Sequence, residues 1–246
     1  MTRTSIRTSA QWIGASAAVA AGAYAAYAAA TWFRHGTAAP EPVPGEADEL
    51  LDRFMPEYEV VERYHIHVAA PPAITLAAAK DLDVMRSALA RGLFKARAWA
   101  LGGTGETREL PHALAEQVQA IGWRVLAEVP GGEIVFGAVT KPWEADRAFR
   151  GIPASDFLAF HEPGYVKIVW TLRADAVSGD QSVFRTETRV RTTDAAARSK
   201  FRRYWALASP GVALIRLLML APVKGEAERR AAEARRENPV PGLRAV

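Results

Sequence analysis

The run Arg185-Thr186-Glu187-Thr188-Arg189 sets one acid between two guanidinium groups, the closest thing in this sequence to acid–base machinery. A carboxylate buried beside fixed positive charge can be tuned for proton transfer. On an extended strand, however, Glu187 and Arg189 fall on the charged side together with Arg185 and Arg191. A cross-strand ion-pair ladder is the commoner reason for such a row. Glu62 is a second candidate because it interrupts the otherwise apolar row Val60, Tyr64, Ile66 and Val68. It places a carboxylate, and Tyr64 a phenol, on a face expected to be buried. His65 and His67 share the other face; no third ligand accompanies them, so no metal centre is expected. Gly102-Gly103-Thr104-Gly105 lacks the preceding strand and following Gly-Lys-Ser/Thr of a phosphate loop. Ser155, Ser182 and Ser209 lack a nucleophile-elbow context. Absence of cysteine excludes thiol catalysis, disulfides and Cys-ligated metals, and no motif asks for a cofactor.

The elements that would position these residues follow from periodicity. Tyr58–Val68 alternates as a half-buried strand, and Pro72 starts a helix over Ala73–Lys80. Asp83 caps a second helix from Val84 to about Leu101, and Leu110–Ile121 is a short helix or a loop of helical character. Trp123–Val129 and Glu133–Thr140 flank Pro130-Gly131-Gly132 as a hairpin. After a loop, Asp156–His161 is expected as a short strand. Tyr165–Ala174 and Ser182–Thr192 then pair through the turn Ser178-Gly179-Asp180. Asp194 caps a long helix whose stripe Phe201, Trp205, Ala208, Val212, Ile215 and Met219 is apolar, and which Pro210 and Pro222 must bend or break. A one-sided sheet needs a cover, and this last helix is the long apolar element available. The rows facing it hold Ile168, Trp170, Phe184, Thr186 and Thr188, with Tyr64 on the first strand. With Phe201 and Trp205 they make apolar walls with a few hydroxyl donors, the usual make-up of a small-molecule pocket.

Composition sets the frame. Of the residues 50% are apolar and 24% charged, so neither wholesale disorder nor a polytopic membrane protein fits. A net charge of +4 does not suggest a nucleic-acid partner. Residues 1–10 form a basic flank to the uncharged segment 11–33, in which Trp12 and Trp32 stand about 30 Å apart along a helix. A single-pass membrane helix is expected there, with a cleaved signal peptide or a docked amphiphilic helix as alternatives. Arg3 and Arg7 before the segment, and acids after it, put the main domain outside the cytoplasm. Residues 34–56 are a Pro/Gly/acidic linker, 57–223 the folded domain and 224–246 a charged tail. The basic amphipathic helix over 84–101 offers a second membrane contact.

The order strand, two helices, antiparallel strands and long final helix resembles the SRPBCC superfamily, the START-like proteins that include polyketide cyclase/dehydrase-like domains. The resembling pieces are VAAPPAIT (Val68–Thr75), PGYVKIVWTL (Pro163–Leu172), FRTETRVRTTDAAAR (Phe184–Arg198) and FRRYW (Phe201–Trp205). The resemblance implies an α+β helix-grip fold, a curved antiparallel sheet around the C-terminal helix. It also implies an apolar cavity for a lipid-, polyketide- or terpenoid-like molecule. Such a fold hosts carriers and cyclase-, dehydratase- or isomerase-type enzymes alike, so two functions stand side by side: a membrane-tethered binder, and an enzyme acting in the same cavity.

Overall fold

The computed structural model describes residues 19, 21–33, 47–100, 102, 110–144 and 148–237. The basic flank, the start of the hydrophobic segment, most of the spacer to residue 46, the glycines at 103 and 105 and the last residues of the tail lie outside them.

Helix α1 covers 21–33, and α2 is the short turn Glu49–Asp52. Strand β1 is Val60–Val68 and helix α3 Pro72–Asp81, with Pro72 in its first turn. Asp83 caps a 3₁₀ turn over Val84–Arg86, not a long helix; its carboxylate accepts from Met85 N at 3.0 Å. Ser87 is extended, and its hydroxyl accepts from Ala90 N at the start of α4, Ala88–Ala100. The helix expected over Val84–Leu101 is therefore divided at Ser87. Helix α5 spans Leu114–Ala120, strand β2 Arg124–Val129 and β3 Glu133–Thr140. Asp156–His161 is not a strand. Behind Pro153 the chain makes the helical turn α6, Ala154–Phe157, which drives Phe157 into the core. Strands β4, Val166–Ser178, and β5, Gln181–Thr192, lead to α7, Ala195–Glu237, whose start is capped by Asp194 accepting from Ala197 N at 2.7 Å. Pro210 and Pro222 lie within α7, and the helix continues through both.

The strands form one curved antiparallel sheet in the order β1-β5-β4-β3-β2, with α7 across one face: a helix-grip α+β fold. Register puts Glu62 opposite Thr188, Thr188 opposite Trp170, and Trp170 opposite Phe136, so all four stand on the helix face. Helix α3 joins α7 there, where Leu76 and Ala79 share a core with Phe184, Leu172, Val223, Ala227 and Ala231. The domain thus runs past 223, because burial of Ala227 and Ala231 carries the α7 packing into the expected tail.

The outer face of the sheet is covered too. Leu51, Phe54 and Met55 pack with Phe157 on Leu126, Val135 and Val169. Residues 48–55 are consequently part of the domain, and the linker ends before them; their apolar spacing of three and four residues is what buries them. Gly137 permits this close packing, since a Cβ there would meet Leu126 Cδ1 at 2.4 Å and Phe157 Cε2 at 2.9 Å. Helix α1 rests on α7: Tyr24 donates its hydroxyl to Leu207 O, and Arg202 Nε donates to Trp32 O at 2.8 Å.

Candidate functional site

Between sheet and α7 lies a cavity of about 210 Å³. Strands β4 and β5 supply Ile168, Trp170, Thr188 and Val190; α7 supplies Phe201, Trp205, Val212, Ile215, Arg216 and Met219. Leu114, Val118 and Trp123 close it on the α5 side, and Val84 and Met85 of the 3₁₀ turn stand at its border. The strand residues reach the cavity because they share one parity on paired strands. The helix residues do so because 201, 205, 212, 215 and 219 recur on one stripe.

Trp170 is the best-fixed wall residue. Its Nε1 donates to Thr186 Oγ1 at 2.6 Å, its ring stacks with Phe136 at 5.5 Å, and Trp123 meets its ring at 6.4 Å. The carbon of the Arg216 guanidinium lies 4.0 Å from its ring centroid. Phe201 and Trp205 stack at 5.6 Å. Thr140, at the end of β3, lines the cavity, and its buried hydroxyl has no hydrogen-bond partner among the described residues.

Of the residues expected at the site, Ile168, Trp170, Thr188, Phe201 and Trp205 border the cavity. Thr186 stands beneath it with its hydroxyl taken up by Trp170, and Phe184 lies wholly in the closed core. Tyr64 turns to Glu62, donating to Oε2 at 2.7 Å, and packs on the edge of that core. Burial, then the adjacent carboxylate, push its phenol above the ordinary tyrosine range.

Glu187 and Arg189 face away from the cavity. Glu187 accepts from Arg63 Nε at 2.9 Å and from Arg189 Nε at 2.6 Å. Arg189 also donates to Met55 O at 2.9 Å, pairs with Asp52, and lies over the Tyr58 ring at 4.6 Å. These two residues therefore lock the segment 48–58 onto the outer face and are not placed to act on a molecule in the cavity. No bulge reverses β5 against β1, so its alternation holds. His65 and His67 are exposed on that same outer side.

Val84, Met85, Leu114, Val118 and Trp123 went unread as wall residues in the sequence, and so did two polar ones, Thr140 and Arg216. Thr140 reads as the end of a strand. Arg216 had a visible signal: it is the single charge between Arg203 and Lys224, four residues after Val212 and three before Met219. Burial pulls its guanidinium down to about 10, opposed by Tyr64 and Glu62 nearby, so it stays charged at neutral pH.

A further acid pair sits on the outer face. Thr171 Oγ1 donates to Glu133 Oε1 at 2.7 Å, and Asp48 shares a hydrogen bond with Glu133. Burial first, then Asp48, raise the Glu133 carboxyl to about 8, against Thr171 and Arg173. The hydrogen bond between Glu133 and Asp48, the cap of α2, joins that turn to β3.

No protein-family model and no curated protein match this chain. Similar solved structures include a conserved protein from Geobacillus kaustophilus, 8% identical, covering 71% of this chain and 97% of its own, TM-score 0.33. Norcoclaurine synthase from Thalictrum flavum, in complex with dopamine and hydroxybenzaldehyde, is 10% identical over 79% of this chain and 98% of its own, TM-score 0.32. The Zhui aromatase/cyclase from Streptomyces sp. R1128 is 15% identical over 75% of this chain and 99% of its own, TM-score 0.22. All three TM-scores lie below 0.5, so the chemistry of the cavity has to be read from its own side chains.

Proposed function

We propose that this chain is a membrane-tethered binder or carrier of a small, largely apolar molecule held between the sheet and α7. The observation that carries the reading is the cavity itself: about 210 Å³ of space with aromatic and aliphatic walls and, lining it, Thr140, whose hydroxyl has no partner among the described residues. A buried hydroxyl without a partner costs roughly 1–3 kcal/mol, a penalty that a bound acceptor or water removes.

The tether is segment 11–33, read from its sequence as a single span with the domain outside the cytoplasm. The contacts of Tyr24 with Leu207 and of Trp32 with Arg202 favour the alternative of a helix docked on the domain. Support for the span comes from the exposed apolar side chains Tyr24, Tyr27 and Phe33 of α1, next to exposed Leu207, Leu214 and Leu217 on α7. Among the described residues α7 is the helix long and apolar enough to cross a membrane, and about a fifth of its apolar window is buried (22%); the tether is read at 11–33 from the uncharged sequence between Trp12 and Trp32. Helix α4, with exposed Leu89 and Trp99 beside Arg91 and Lys95, gives a second contact with anionic lipid.

A second reading, an enzyme of cyclase, dehydratase or isomerase type, is favoured by one group: the Glu62–Tyr64 hydrogen bond with Arg216 nearby. A carboxylate, a phenol and a guanidinium together are the parts of a proton relay.

Native mass spectrometry of the full chain purified from its host membranes tests the binder reading. A retained small molecule that is lost on Trp205→Ala supports it; a cavity filled by side chains alone, with no mass retained, overturns it. Chemical change of that molecule on incubation transfers the reading to the enzyme. Alkaline carbonate extraction tests the tether, and release of intact chain rules out a span.

A further inference from the structure

Arg216 is the single charged side chain among the described residues that line the cavity. Its guanidinium lies against the Trp170 ring, and no carboxylate or carbonyl among the described residues accepts a hydrogen bond from it. Glu62 acts on Arg216 by its charge and accepts from Tyr64 at 2.7 Å, but it makes no hydrogen bond to the guanidinium. A guanidinium carries five donors in a planar fork, and an aromatic face satisfies none of them. The wall therefore offers one fixed positive charge with its donors unused, surrounded by Trp170, Val212, Ile215 and Met219.

We propose that the cavity selects an amphiphilic carboxylate, whose acid group pairs with Arg216 while its apolar body lies against Trp170 and the α7 stripe. This rests on the binding reading above and names the ligand class for that site. A neutral ligand covering the same wall would strip water from Arg216 without replacing its hydrogen bonds, and a cationic one would be repelled. A carboxylate matches the fork with two parallel hydrogen bonds. The volume sets the scale: about 210 Å³ is roughly seven water volumes at about 30 Å³ each, a compact acid and not a two-chain lipid.

The test is calorimetric titration of the full chain in amphipol at neutral pH with octanoate, octan-1-ol and methyl octanoate. Octanoate is expected to bind the unaltered protein at least tenfold more tightly than the alcohol or ester, tenfold being about 1.4 kcal/mol. Arg216→Gln should bring octanoate down to the level of octan-1-ol and leave octan-1-ol within about twofold. Arg216→Lys, which keeps the charge without the fork, should retain part of the preference, and it reports on the site should the Gln variant unfold. Equal binding of acid and alcohol, or an undiminished preference in a folded Arg216→Gln protein, overturns the carboxylate pairing while leaving the cavity reading standing. Failure of all three probes to bind overturns the cavity reading, and this inference with it.

Discussion

On the outer face of the sheet, buried Glu187 and Arg189 and half-buried Arg63 form a chain of ion pairs, with Arg173, Asp175 and Arg185 in a second chain beside them. On the helix face the same strands present Glu62, Thr188 and Trp170, and the opposing α7 brings Arg216 with an aromatic ring for company. The Arg63–Glu187–Arg189 chain on the outer face thus has opposite charges paired, and the face beneath α7 holds donors without acceptors. Saturated charge fixes structure; unsaturated charge is what a ligand can complete. The richer cluster of ionisable groups is therefore the structural one, and the sparse one is the site.

The largest expected effect comes from breaking the saturated side. Glu187→Ala leaves Arg63 and Arg189 without their shared acceptor, and with Arg189 only 1% exposed the cost is about 3–5 kcal/mol by urea denaturation. Arg216→Gln, by contrast, loses a ring contact worth about 1 kcal/mol. Equal losses for the two would erase the distinction between the faces. Next is Trp205→Ala, which removes a stacked wall residue; thermal melts should show a loss of about 3 kcal/mol together with loss of ligand.

A smaller effect, and one dependent on pH, belongs to Glu133. Its folded-state value of about 8 lies above the ordinary 4.5, so the fold favours its protonated form. That contribution is full below pH 4.5 and is lost as pH rises through about 8, as Glu133 ionises in its buried position. Glu133→Gln should flatten the decline in melting temperature between pH 5 and pH 9 and leave the protein several degrees more stable at the upper end. A decline unchanged by the substitution would remove the Glu133 carboxyl from the account. The smallest effect is Thr140→Val, which exchanges an orphaned hydroxyl for a methyl group. Stability should rise by up to about 1 kcal/mol, while affinity for a ligand that uses the hydroxyl falls.

The sequence carried the face assignments well. Alternation in β4 and β5 placed Ile168, Trp170, Thr188 and Val190 together, and the three-and-four spacing of α7 placed Phe201, Trp205, Val212 and Ile215 opposite them, because both signals are local periods. What depended on distant docking was hidden. Nothing near Glu133 in the chain announces Asp48, and the apolar Leu51, Phe54 and Met55 were masked by the acidic, Pro-rich stretch before them. Thr186 and Thr188 look alike in sequence; only the cross-strand Trp170 indole separates the consumed hydroxyl from the one at the cavity. Arg216 was legible but was absorbed into a stripe read for its apolar members.

The two prolines of α7 have a consequence for where that helix can give. Pro210 and Pro222 each lack an amide hydrogen, so the backbone ladder of the helix misses a rung at either end of the stretch that carries Val212, Ile215, Arg216 and Met219. Outside that stretch the helix is pinned, by Phe201 and Trp205 on one side and by Val223, Ala227 and Ala231 on the other. The part of the wall carried by Val212, Ile215 and Arg216 thus follows a missing rung and is held at its far end by buried Met219 and Leu220. Local give in α7 is therefore expected just after Pro210, with every strand pairing in the sheet left intact.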